Sequence, residues 1–285
     1  MNEGEIKALL SLLDDDDPAI FSMISKKINE IGYGIIPYLE EEWENNFNPL
    51  VQKRIEDLTH DLQFLMVKDR LKNWHENESS DLLKGIWIVA TYQYPDLEYE
   101  KISHEIEQLF YEVWLNFKPD LHPYDQIKIL NSVLFFKLKF AGNLKNFHSP
   151  SNSYINCVLE TKKGNPISIC IVYLLICRKL GLPVFGVNLP NLFILTYKDP
   201  RYDQFYINAY NKGLIFTRAD IENYIKEIKL TPHPVFLEPC DDVDIIRRVL
   251  RNLIISYEKA GEKEKKEEIM ELLQIIHQGD DILNV

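Results

Sequence analysis

The chain has 285 residues, with 32 Lys and Arg against 44 Asp and Glu, so its formal charge is −12 at neutral pH. At 46% hydrophobic and 27% charged residues it holds enough apolar material to offset chain entropy, and its length suits two or three packed units. The acidic balance and the lack of a Lys/Arg stripe argue against nucleic-acid binding, no apolar run approaches the ~20 residues of a membrane helix, and the polar start argues against a signal peptide, so a cytosolic protein is expected.

The first part reads as helices. Asp17-Pro18 and Asn48-Pro49 each place a capping side chain before a proline, which suits N-cap and N1. Ile20, Met23, Ile24, Ile28 and Ile31 follow the first, and Val51, Ile55, Leu58, Leu62 and Leu65 the second, at helical core spacing. Gly32-Tyr33-Gly34 breaks the chain between them, before a helix over 35–43. A helix–turn–helix unit recurring after roughly 30–40 residues suits a short HEAT-type repeat, and a plain helical bundle suits it equally. The run Asp14 to Asp17 reads as N-terminal helix charge and lacks the remainder of a calcium loop.

Helices are expected over 81–92, 99–117 and 124–140, then a loop, then a short helix over 152–160. Lys162 to Asn165 is a break. Pro166 opens a very apolar helix that Gly181 ends in a C-cap role. Short strands follow at 184–187, 192–197, 205–208 and 214–216, and Thr217 with Asp220 forms a capping box for a helix to about 228. A Pro-rich linker over 231–239 precedes a helical pair, 241–259 and 262–277. There Leu253, Tyr257 and Gly261 sit at spacings resembling a tetratricopeptide repeat, with Lys266 where a small residue is usual. The basic pairs Lys162-Lys163 and Arg247-Arg248 read as solvated positions.

Chemistry-bearing motifs are sparse. Cys157, Cys170, Cys177 and Cys240 form no C-x-x-C pair and read as buried apolar residues. The seven histidines show no metal spacing, and no glycine-rich phosphate motif occurs, so neither metal nor cofactor is expected.

One stretch carries a pattern. Gly142-Asn143, Asn152-Ser153-Tyr154, Gly164-Asn165-Pro166-Ile167-Ser168, Leu180-Gly181-Leu182-Pro183 and Gly186 to Pro190 follow in order. Together they resemble the bacterial SirB-type transglutaminase-like family. The resemblance implies a predominantly helical α+β fold: a transglutaminase or cysteine-peptidase-like core with a small antiparallel sheet, flanked by a HEAT-like or bundle N-terminal region and a tetratricopeptide-like C-terminal pair. The corresponding boundaries are 1–78, 79–232 and 233–285.

The family's chemistry needs a Cys at the start of a buried helix, a His on a following strand and an Asp on the next. The helix N-terminus favours a thiolate, the His moves the proton and the Asp orients the ring. By the resemblance those positions are Pro166, Leu192 and Asn208, and none keeps its catalytic group. Gly164, Asn165, Ser168, Asn191, Asn211 and His148 are then candidate cleft residues, with the three asparagines 191, 208 and 211 equally suited to local turns. The expectation is a pseudoenzyme, a cytoplasmic interaction or regulatory module that meets a protein partner through its helical surfaces or its degenerate cleft, without nucleic acid or membrane. The alternative is a thiol-dependent hydrolase or acyltransferase, with Cys170 displaced one turn into the helix as nucleophile and His148 as base.

Overall fold

The computed structural model describes residues 3–231 and 233–277. Met1, Asn2, Pro232 of the expected linker and residues 278–285 of the expected last region lie outside them. The chain forms two compact units, Met1–Arg70 and Leu71–Val285.

The first unit holds α1 (Glu3–Leu10), α2 (Pro18–Ile31), α3 (Ile36–Asn45) and most of the long α4 (Pro49–Asn77). Asp17 caps α2 as expected, accepting from the Ala19 amide with Pro18 following. Ile24, Ile28, Leu39, Ile55, Leu58 and Leu62 build its core. Met23, placed on the core face from sequence, is 74% exposed. At 100° per residue it falls beside the stripe through Ile20, Ile24, Ile28 and Ile31, on the solvent flank. Leu65 is likewise at the exposed edge of its stripe. Arg54 ties the α1–α2 connection down, donating to the carbonyls of Leu13 and Asp15 at 2.7 Å each.

The second unit begins within α4. It continues through α5 (Leu82–Thr91), α6 (Tyr99–Trp114) and α7 (Pro123–Asn131). The expected single helix over 124–140 does not form: α7 gives way at Ser132–Lys137 to a π-helical turn. The Leu138 amide bonds to the Val133 carbonyl, and the wide turn buries Val133, Leu134 and Phe135 while Phe136 stays out. Asn131, just before it, is locked by bonds to the Gly213 carbonyl and the Tyr173 hydroxyl, each 3.0 Å.

Two strands that sequence missed come next. β1 (Ala141–Gly142) pairs in parallel with β2 (Lys163–Gly164), on either side of α8 (Ile155–Thr161). Two residues carry no periodicity, so no pattern could reveal them. α9 (Pro166–Lys179) is buried along 11 consecutive residues, Ile167 to Cys177. It packs against β3 (Val184–Leu189), β4 (Leu192–Tyr197) and α6. With β5 (Phe205–Asn208) and β6 (Leu214–Phe216) these strands form an antiparallel meander in the order β3-β4-β5-β6. α10 (Arg218–Glu227) covers its other face, with the Thr217–Asp220 capping box in place.

The C-terminal pair, α11 (Asp242–Ala260) and α12 (Lys263–Ile275), docks on this core, since one helical pair cannot bury its own apolar face. α11 packs on α5, α9 and β3. Its buried face explains a correction: Arg247 is 6% exposed, not solvated. Its Nε donates to the Ile276 carbonyl at 2.8 Å, and Nη1 pairs with Asp244 at 3.0 Å. The buried carboxylate of Asp242 takes both arms of Arg178.

Candidate functional site

α9 starts at the edge of a cleft of about 200 Å³. Asn165 is its N-cap: the side-chain oxygen accepts from the Ser168 amide at 3.0 Å. Pro166 follows at N1, where a missing amide proton costs nothing and φ is already helical. The Asn165 amide group donates to Ser153 Oγ at 2.8 Å, and Ser168 Oγ donates back to the Asn165 carbonyl at 3.1 Å. Ser168 is therefore spent on the helix start.

A second wall is the β3–β4 hairpin. Pro190 followed by Asn191 at φ 60° suits a tight turn, since Asn tolerates the left-handed region. Tyr224 of α10 pins this turn by donating to the Pro190 carbonyl at 3.0 Å. Strand alternation then decides which side chains meet the cleft. Phe193 lines it, whereas Leu192 packs with Ile194, Tyr206 and Ile225 on the α10 side.

The third wall is α11, which sequence reading had assigned to a separate unit. Arg248, Asn252 and Ser256 line the cleft at four-residue intervals, which puts them on one helix face. Arg248 Nη1 donates to Asn188 Oδ1 at 3.0 Å and to the Leu189 carbonyl at 3.4 Å. Burial, and then the charge of Arg251, lower its pKa from the ordinary arginine value. Among the described residues no carboxylate bonds to it, and no Asp or Glu lines the cleft. The four-residue spacing of Arg248, Asn252 and Ser256 was the available signal, masked by reading Arg247-Arg248 as a surface pair.

Phe147 and His148 form the rim. Lys259 Nζ donates to His148 Nε2 at 2.7 Å, so that ring nitrogen is already used as an acceptor. The structure thus brings His148, Asn165, Pro166 and Asn191 to one cleft. Gly164 lies under it: a Cβ there would sit 2.2 Å from Ser168 Oγ. Asn208 and Asn211 are elsewhere, in a turn where Asn208 Oδ1 accepts from the Asn211 amide at 3.0 Å.

Cys170 does not line the cleft. It is wholly buried, with Sγ 3.7 Å from the Phe193 carbonyl. Burial pushes its thiol and that of Cys177 up, and Cys240 is raised by burial and then by Asp244. A nucleophile requires the opposite shift. Among the described residues no group of three His, Cys, Asp or Glu side chains could hold a metal, and no helix is long and apolar enough to cross a membrane.

A helix N-terminus facing an antiparallel meander, with one helix closing the third side, has a counterpart among known sequences. The family model for the transglutaminase-like superfamily matches residues 100–251. This chain belongs to the transglutaminase-like superfamily. The match runs from α6 into the first half of α11, so it takes in the start of α9, the β3–β4 hairpin and Arg248 of the third wall of the transglutaminase-like cleft, and stops short of Asn252 and Ser256. Relatives include a UPF0162 protein of Xylella fastidiosa strain 9a5c, 28% identical over 194 residues, 62% of this chain and 65% of that one. A second, from strain Temecula1, is 33% identical over 42% of this chain and 43% of its own length. F-box only protein 21 of Mus musculus is 35% identical over 103 residues, 34% of this chain and 16% of that protein. The chain thus matches less than two thirds of the length of each of these relatives. No solved structure matches it.

Proposed function

We propose that this transglutaminase-like chain is a non-catalytic, SirB-type binding module whose cleft and helical surfaces engage a protein partner. The observation that carries the reading is Pro166 at N1 of α9, where the family resemblance implies the nucleophile. Proline has no group to attack with. Leu192, at the implied histidine position, packs away from the cleft, and Asn208 caps a turn. Removing the proton-transfer group alone costs on the order of 10²–10⁴ in rate. The match to a small part of F-box only protein 21 supports a core that is carried into longer chains of other composition. The HEAT-like and tetratricopeptide-like readings of the flanking helices belong to the same proposal, as partner surfaces.

The test is a turnover assay of the purified full chain on peptide, amide, ester and glutamine-donor substrates. The expected result is none above buffer. Sustained turnover that disappears on substituting Arg248 or Asn191 overturns the reading. Activity abolished by Cys170→Ala establishes the thiol-dependent alternative, against which the burial of Cys170 weighs.

A further inference from the structure

We propose that the cleft binds a carboxylate carried on a small apolar body, with Arg248 taking the carboxylate. The inference rests on the reading of the cleft as a binding site and names its ligand class.

Charge is the first ground. The chain carries 44 acidic side chains, yet none lines this cleft, and the cation that does line it has no carboxylate partner among the described residues. Holding a half-buried guanidinium without a counter-ion costs stability, and burial lowers its pKa accordingly. An anionic ligand removes that cost.

The hydrogen bonds are the second ground. Protein acceptors engage only Nη1 of Arg248, which leaves the Nε and Nη2 donors of the fork for a bidentate pair. Asn252 and Ser256 follow on the same face of α11, and Asn191 faces them from the hairpin. No hydrogen bond within the described residues occupies these three side chains, so their donors are available to a bound ligand.

Size and charge choose among anions. About 200 Å³ holds little more than one amino-acid-sized group, and Phe147, Phe193 and Ile255 supply apolar contact for it. One arginine matches a monoanion. A phosphate dianion calls for a second cation, and Lys259 is turned to His148 instead.

The test is calorimetric titration of the full chain with N-acetyl-leucine, N-acetyl-leucinamide and inorganic phosphate, alongside a leucine-terminated pentapeptide and its C-terminal amide. The expected result is binding of the acids at least about tenfold tighter than their amides or phosphate, as loss of a charge-assisted bidentate pair implies. A peptide acid that binds tighter than the free acid identifies a chain terminus as the source. Equal affinity identifies a small free acid. Arg248→Met should weaken acid binding at least tenfold and leave amide binding unchanged. Asn252→Ala, which leaves the Arg248–Asn188 bond intact, should weaken it severalfold if the first variant does not fold. Equal binding of acid and amide, preference for phosphate, or no heat at millimolar acid overturns the proposal. Turnover with acid binding intact overturns the non-catalytic reading alone. Silence in both assays overturns the carboxylate site alone.

Discussion

Tyr154 and Tyr257 form a buried relay that joins α11 to the N-terminus of α8. Tyr154 is 1% exposed, and its hydroxyl lies 2.6 Å from that of Tyr257. Tyr257 in turn donates to Gln93 Oε1 at 3.2 Å, so Tyr154 is the donor between the two rings. The two hydroxyls are therefore unequal. Tyr154→Phe removes one accepted bond and strands nothing, because Tyr257 keeps Gln93; the cost is about 1 kcal/mol. Tyr257→Phe removes its bonds and leaves the Tyr154 proton buried without an acceptor, which costs about 2–3 kcal/mol. Gln93 is spared, since Lys265 also reaches its oxygen at 3.2 Å. When Tyr154→Phe is already in place, the Tyr257→Phe step should shrink to about 1 kcal/mol, a coupling that a double-mutant cycle measures directly. Differential scanning calorimetry of the second unit should show a fall of roughly 4–12 °C for Tyr257→Phe and roughly 2–4 °C for Tyr154→Phe. Equal costs, or strict additivity in the double variant, would refute the donor order and the role of α11 as part of this core.

Three further outcomes follow from the same packing. Burial holds the phenols of Tyr154 and Tyr173 well above the ordinary tyrosine range, and pushes Tyr257 up to about 12. A raised pKa gives stability that is complete below about pH 10 and is lost as pH rises through the folded values, so the tyrosinate absorbance these three rings contribute, taken as the difference between the chain and its Tyr→Phe variants, should appear together with loss of circular dichroism in alkali; that difference absorbance forming well before unfolding contradicts this. Iodoacetamide should leave Cys170 and Cys177 unmodified in native protein across neutral pH, as read by mass spectrometry, and label them in denaturant; rapid native labelling of Cys170 would show that its helix opens. Leu174 is fully buried at the centre of α9, so Leu174→Asp should abolish soluble expression, and a folded soluble variant would place that helix at the periphery.

Much of the second unit was legible because its signals are local. The Thr217–Asp220 capping box, the proline at the start of α9 and the apolar run behind it each involve neighbours in sequence. The strands β4, β5 and β6 read correctly for the same reason. The cleft was half legible. Asn165, Pro166 and Asn191 lie in the patterned stretch, and His148 lies just before its core. Arg248, Asn252 and Ser256 lie about 60 residues beyond the hairpin, and only tertiary packing turns their helix toward it. The two-residue pairing of β1 with β2 and the π turn after Asn131 were illegible in principle. One is fixed by register against a distant segment, the other by side-chain bonds to Gly213 and Tyr173. The side of β4 on which Leu192 lies was not legible either, because alignment of a motif says nothing about which side of a strand points inward.

The closing wall of the cleft leaves the ribosome after the other two. Asn191 and Ser256 are separated by about 65 residues, which synthesis at about 5–20 residues per second spans in roughly 3–13 s. Throughout that interval the hairpin and the start of α9 can exist, but the arginine-bearing side of the cleft cannot. A ligand or partner that reads the complete cleft therefore distinguishes chains that have passed Ser256 from shorter ones, and assembly of the cleft can be timed by when that recognition begins.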